Sequence, residues 1–380
     1  MRVTTSARGN KGRKADKTRA SPRAAQDHPP RTEVAALEAR LIDDPTDDEA
    51  WMVYGDLLQK LGDPRGELIA LQAAAQSAGA PKAAHAAVAK FFARRVPALL
   101  GTLARHVRRL DNLASPPFVW KHGFIHRVAL DGGSLACVVD EVLRHASGRF
   151  VAEIAFQTRH LSQAVELFDI LGQHAPPVLH ELDVLAPVDL ELGGLWTRVP
   201  RLRRLFLTAR SLEFGDLALP ELRHARFRAL TLSPACVDAI AAAPWPELER
   251  LELRIGSQLG AVPAAFENLE PLLRRADLPA LTHLKIRRAP FAGAICRALV
   301  TSPLAARLQV LDLSHGTVTP QDVNVLAAAT GAFTKLRELW IPAAALWNDG
   351  AKRLAGIATH VISDHKAPLD ALDSELDGAA

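Results

Sequence analysis

A short apolar phrase, L-x-x-L-x-L, recurs from about residue 123 to residue 346 and constrains this chain more than any other feature. It is clearest in Pro200-Arg-Leu202-Arg-Arg-Leu205-Phe-Leu207, echoed by Pro246-Glu-Leu248-Glu-Arg-Leu251-Glu-Leu253 and Pro279-Ala-Leu281-Thr-His-Leu284-Lys-Ile286. With the middle apolar residue as a marker, copies fall at Val128, Ile154, Leu182, Leu205, Ala225, Leu251, Leu284, Leu311 and Leu339. The intervals are 26, 28, 23, 20, 26, 33, 27 and 28 residues. Self-similarity at such a period means stacked units, each too small to bury a core alone. Composition agrees: 48% of residues are hydrophobic but only 5% aromatic, so burial must come from Leu, Ala and Val.

Residues 33–118 have a different character, with apolar residues at helical spacing. Val34, Leu37, Leu41 and Ile42 form one stripe and Trp51, Tyr54, Leu57, Leu58 and Leu61 a second, followed by Leu68, Ile69 and Leu71. Asp47 or Asp48 caps the second helix, and Gly62-Asp63-Pro64 stops it. A calcium loop over Asp43–Glu49 is broken by Pro45 and the missing Gly. Residues 82–112 read as one or two Ala-rich helices with a basic outer face, closed by Ser115-Pro116-Pro117.

The stretch Leu41-x-Asp43-Asp44-Pro45-x-Asp47-Asp48, then Tyr54-x-Asp56-Leu57-Leu58, then Gly62-Asp63-Pro64-Arg65-Gly66-Glu67-Leu68-Ile69-x-Leu71-Gln72, resembles the small bacterial repeat-companion domain. Leu57 departs from that family, which more often has Trp there. The resemblance covers about 40 residues and implies a cap on a repeat array, with no catalytic residue; a tetratricopeptide-like half-repeat is the alternative.

The array at residues 119–362 resembles the leucine-rich repeat family. Extended to L-x-x-L-x-L-x-x-N-x-L, the phrase keeps an apolar final residue at Leu135, Leu161, Leu212, Leu232, Phe291, Val318 and Leu346, and fails at Asp189 and Gln258. The resemblance implies an α/β, right-handed solenoid of about nine repeats with a concave parallel β-sheet, preceded by the small all-α domain. Helices are expected over 138–143, 164–171, 237–243, 294–300 and 323–329. At the family's Asn position stand Gly133, Arg159, Pro187, Arg210, Leu230, Gly256, Ala289, Gly316 and Ala344, which predicts looser coils.

No nucleophile elbow, P-loop, metalloprotease or dinucleotide motif is present, so the chain is read as not an enzyme, with no cofactor and no metal. Cys137, Cys236 and Cys296 lack metal or disulfide spacing and read as small apolar fillers, which favours a reduced, cytoplasmic setting. His122 and His126, the one i,i+4 histidine pair, flank a strand with no carboxylate between them. No apolar run is long enough to cross a membrane. Residues 1–32 form a basic tail: residues 1–31 hold nine Lys or Arg against two Asp, a net +7 that leaves −3 for the rest of this +4 chain. Both this tail and the acidic end at 363–380 are expected to be disordered.

Period-2 alternation decides what the strands present outward. In the copies centred on Leu205, Ala225, Leu251 and Leu284 these positions are Arg204, Phe206, Thr208; His224, Arg226, Arg228; Arg250, Glu252, Arg254; and His283, Lys285, Arg287. The other copies carry Asp131, Glu153, Glu181, Asp183, Asp312 and Glu338 against Arg127. A basic band with acidic ends follows, with Phe206 and Trp340 as aromatic anchors. The expected partner surface is Arg204, Phe206, Arg226, Arg228, Arg250, Arg254, Lys285, Arg287 and Trp340. The expected function is a monomeric protein-interaction scaffold for an acidic partner. A nucleic-acid-associated protein using tail and band is the alternative, and a repeat-based effector or enzyme regulator the third reading.

Overall fold

The computed structural model describes residues 31–106, 117–132, 135–256, 262–347 and 349–364. Residues 1–30 of the basic tail and most of the acidic end lie outside them, while residues 31 and 32 open the first helix. The helical part includes α1 (Arg31–Asp43), α2 (Asp48–Lys60), α3 (Pro64–Gln76) and α4 (Lys82–Leu100). Asp47 caps α2 by accepting from the Ala50 N–H, and Asp63 caps α3 by accepting from Arg65, with Pro64 in the first turn. A Cβ on Gly66 would stand 2.4 Å from the Gly55 carbonyl oxygen, so only glycine lets α2 and α3 approach this closely.

Eleven strands then form one sheet in chain order. β1 (Phe118–Lys121) pairs antiparallel with β2 (Phe124–Asp131); every later pairing is parallel. The others are β3 (Glu153–Gln157), β4 (Glu181–Glu191), β5 (Arg204–Glu213), β6 (His224–Arg228), β7 (Arg250–Arg254), β8 (His283–Arg287), β9 (Val310–Asp312), β10 (Glu338–Ile341) and β11 (His360–Ser363). Among the described residues seven helices lie in the connections: α5 (Ala136–Arg144), α6 (Leu161–His174), α7 (Pro234–Ala242), α8 (Phe266–Leu273), α9 (Ala292–Leu299), α10 (Pro320–Ala328) and α11 (Gly350–Leu354). This is an α/β, solenoid-like repeat with an open, mostly parallel sheet.

The nine marker residues occupy one register. Val128 is followed across the sheet by Ile154, Leu182, Leu205, Ala225, Leu251, Leu284, Leu311 and Leu339, and Val361 of β11 adds a tenth position. Each marker from Val128 to Leu339 is nearly or fully buried in one continuous core with the helices. Burial of a Leu on this scale is worth about 1.5–3 kcal/mol relative to exposure. Ala225 is the small exception, and Phe227, packed at 4.7 Å on Phe214 and 6.2 Å on Trp245, fills its coil.

Interval length decides what each connection holds. The described residues of the 20-residue interval contain no helix, whereas the 33-residue outlier accommodates α8. The failure at Asp189 is a strand irregularity: register shifts between Ala186 and Asp189 around Pro187, so Leu190 pairs with Leu212 and takes the apolar place. Gln258 lies outside the described residues, and Leu161 is exposed at the start of α6. Arginines bond several inter-coil carbonyls: Arg275 donates to Ala241 and Ala243, Arg307 to Ala276 and Leu278, and Arg254 to Ala229.

The helical unit docks on the first hairpin through the Gly62–Gln72 stretch. Gln72 accepts from the Gly123 N–H at 2.7 Å and donates to the Trp120 carbonyl. Arg65 lies 5.1 Å over the Phe124 ring. Trp51, Tyr54, Phe124 and Phe150 form a shared aromatic cluster with Leu58, and Leu57 is buried as well. Arg201 donates to the Ile42 carbonyl, and Arg149 pairs with Glu38, which also accepts from Tyr54.

Candidate functional site

On the sheet face away from the helices, residues line up in columns, one per strand, about 4.8 Å apart. One column runs Arg127, Glu153, Glu181, Arg204, His224, Arg250, His283, Val310, Glu338. The next runs Ala129, Ala155, Asp183, Phe206, Arg226, Glu252, Lys285, Asp312, Trp340. A third carries Thr208, Arg228, Arg254 and Arg287.

The continuous basic band expected from alternation is mostly compensated within the protein. Arg204 pairs with Glu181 at 2.5 Å and approaches Glu153 at 3.5 Å; Glu153 also faces His126 and His180. Hydrogen bonding from His126 and these nearby cations hold the Glu153 carboxyl below its ordinary range. Arg226 reaches Asp183 at 3.5 Å. Arg287 donates to Asp312 at 2.9 Å, and Asp312 is completely buried.

Arg228 and Arg254 are not surface residues, which corrects their place in the expected partner surface. Arg228 is 6% exposed and bonds Glu252 through two nitrogens, at 2.9 and 2.5 Å. Arg254 is 4% exposed and donates to the Ala229 carbonyl. Thr208 is buried as well. The third column sits where the strands run into the connections, so Thr208, Arg228 and Arg254 are covered instead of presented, while Arg287 is half-buried.

What is left is smaller. Among the described residues, Arg250 and Lys285 make no ion pair, and Arg250 is exposed. Arg250 stands in register between His224 and His283, with Lys285 on the same strand as His283. Burial pushes both imidazoles below their ordinary value, and Arg250 pushes each further. Glu249 lies 3.5 Å from His224, and Thr282 Oγ1 lies 2.8 Å from His283 Nδ1. Three consecutive repeats thus place a row of basic groups about 10 Å long on the open face. His224 and His283 escape a count of formal charges because they are neutral at pH 7. Their position was readable from the same alternation.

The two aromatic anchors do not share a pocket. Phe206 and Trp340 lie in one column but five strands apart, about 24 Å. Phe206 is covered by Arg226, and Trp340 is half-buried with its indole N–H 3.5 Å from Glu338.

The remaining candidates have structural explanations. Cys236 and Cys296 are buried, and burial raises both thiols, Cys296 to about 12, so neither is a ready thiolate. Cys137 is exposed, not a core filler. His122 stacks on Trp51 at 4.7 Å with an interplanar angle of 8°. Asp364, expected in the mobile acidic end, accepts the Ala343 N–H at 2.9 Å and ties down the last coil. Among the described residues no cluster of His, Cys, Asp or Glu has the makings of a metal site, and no helix is long and apolar enough to cross a membrane.

No family model and no curated protein matches this chain. A crystal structure of a Bacteroides fragilis protein is similar in fold, with a TM-score of 0.51 at 15% sequence identity, covering 76% of this chain and 84% of that one. At that identity the likeness concerns the fold alone.

Proposed function

We propose that the protein is a non-catalytic, cytoplasmic interaction scaffold, a right-handed, leucine-rich-repeat-like solenoid with its sheet on the concave side. It holds an acidic segment of a partner protein at His224, Arg250, His283 and Lys285. Right-handedness rests on the general rule for parallel crossovers. The free thiols fit a reducing compartment. The observation that carries the reading is selective compensation: Arg204, Arg226, Arg228 and Arg287 each have a carboxylate, while Arg250 and Lys285, side by side with two histidines, have none among the described residues. Uncompensated like charge is a standing repulsion that a bound anion relieves. Phe206 stands beside the row but under Arg226, so it offers a partner apolar contact only if that guanidinium moves.

The test is fluorescence anisotropy of a labelled Glu-rich peptide with the wild-type protein and with Arg250→Glu/Lys285→Glu. Affinity should fall at least about tenfold in the variant, with the circular dichroism spectrum unchanged. Equal affinity in both proteins overturns the reading. Tighter, steeply salt-dependent binding of an arbitrary single-stranded DNA, lost in the same variant, would move the assignment to nucleic acid.

A further inference from the structure

The connections leaving β2 and β3 meet below the first coils. α5 ends at Arg144 and runs through His145 and the 3-10 turn Ala146–Gly148 to Arg149; α6 ends at His174, followed by Ala175-Pro176-Pro177. Between them lies a cavity of about 290 Å³. Four of its lining residues, Arg144, His145, Arg149 and His174, are basic, and none is acidic. The cavity is separate from the open sheet face, and its Arg149 is shared with the docking contact to Glu38 of the helical unit.

The basic groups are oriented from behind. Asp140 accepts from Arg144 Nε at 2.7 Å, which leaves an outer guanidinium nitrogen of Arg144 3.0 Å from His174 Nε2. Since a guanidinium only donates, His174 Nε2 accepts and its other nitrogen carries the proton. Arg149 is held by Glu38, itself fixed by the Tyr54 hydroxyl at 2.6 Å. The Ser147 N–H donates to His145 Nδ1 at 3.1 Å, which puts the His145 proton on Nε2. Both carboxylates stand outside the lining, so they position the arginines without occupying the cavity.

The geometry points to a binding site for a small phosphate compound, its phosphoryl group held between Arg144, Arg149 and His174. A phosphoryl group presents three acceptor oxygens in different directions, which suits donors converging from two connections; a planar carboxylate needs only one guanidinium fork. The volume is at the small end of ligand sites, about 300–1,000 Å³, which fits a phosphate with a modest substituent and not a polymer. Pre-positioned arginines lower the ordering cost of binding.

The test is histidine-ring NMR of the full chain during titration with inorganic phosphate and, separately, AMP, at constant ionic strength. Signals of His174 and His145 should move saturably, His174 being assigned by its loss in His174→Ala. Arg144→Ala should weaken the effect about tenfold, read at both rings, and His174→Ala should do so at His145. Both side chains are exposed, so the melting temperature serves to show that each variant is folded. Stronger saturation by AMP would identify a phosphate ester as the ligand, and equal saturation free phosphate. No saturable shift up to about 10 mM of either, or unchanged affinity in both variants, overturns the site.

Discussion

The guanidinium of Arg226 lies 4.5 Å from the centroid of the Phe206 ring, and its terminal nitrogen reaches Asp183 at 3.5 Å. One side chain thereby covers the residue that alternation marks as an aromatic anchor and neutralises an acid two strands away. Burial holds the Asp183 carboxyl above its usual range, against the pull of Arg226. Arg226→Ala should cost about 1 kcal/mol in urea denaturation, the loss of a half-buried cation–π and ion contact. Arg226→Glu should cost at least about 2 kcal/mol, because it sets a second carboxylate beside Asp183. Arg226 is therefore unsuited to charge reversal as a probe of binding, and Arg250 and Lys285 are the positions to change.

Binding of an acidic peptide should tighten as pH falls from about 7 to 5. In the free protein both imidazoles of the row are held below their ordinary value, so they are neutral at pH 7. A bound carboxylate raises them, so binding takes up protons and affinity rises as pH falls. The groups that bear on His224 are Arg250, Arg204 and Glu249; on His283 they are Arg250, Lys285, Glu338 and His224. The double variant His224→Gln/His283→Gln should bind with an affinity nearly flat over that range. Titration by anisotropy at several pH values decides it, and an unchanged slope in the variant assigns the proton uptake elsewhere.

Much of this architecture was legible in the residues because the repeat phrase marks a position that must be buried, and burial fixes register. All nine markers share one ladder for that reason. β1 and β11 carry no copy of the phrase; one is the first arm of the opening hairpin, the other the last strand of the sheet, without the leucine pattern. The site was legible only in part. Alternation places Arg228 and Arg254 on the open face, but depth along the strand decides exposure, and that depends on how closely the following connection folds over the third column. Compensation was hidden for a different reason. Arg226 and Asp183, 43 residues apart, meet because strands two positions apart lie within reach of an arginine.

His122 makes folding stability depend on pH in a definite window. Burial against Trp51 brings its pKa from 6.5 down to about 4. A folded-state value below the unfolded one means that the unfolded chain binds the extra proton, so the contribution is intact above pH 6.5 and is lost as pH falls toward 4. The ring is partly exposed, so the loss should be about 1–2 kcal/mol rather than the full value of the shift. His122→Phe keeps a ring on Trp51 and removes the proton. Its stability should fall less than the wild type's between pH 6.5 and 4, measured by urea denaturation at each pH. Parallel curves would place the titration on another group.

The docking of the helical unit depends on Gly123, at the turn of the first hairpin with φ of +77°. A Cβ there would stand 2.7 Å from the Arg65 carbonyl oxygen and 2.9 Å from the Ile69 side chain. Backbone cannot yield as a flexible side chain can, so Gly123→Ala should push α3 off the hairpin and open the cluster of Trp51, Tyr54 and Phe124 to water. Gly79 supplies the control: its φ is also +77°, but nothing lies within 4 Å of its Cβ position. Gly79→Ala should cost about 1 kcal/mol, the conformational strain alone. Gly123→Ala adds steric overlap and lost apolar burial and should cost about 3–4 kcal/mol. The same overlap should speed proteolytic cleavage within residues 31–106, because the unit loses the surface that holds it. Equal destabilisation by the two substitutions would mean that the close approach of α3 to the hairpin contributes nothing to docking.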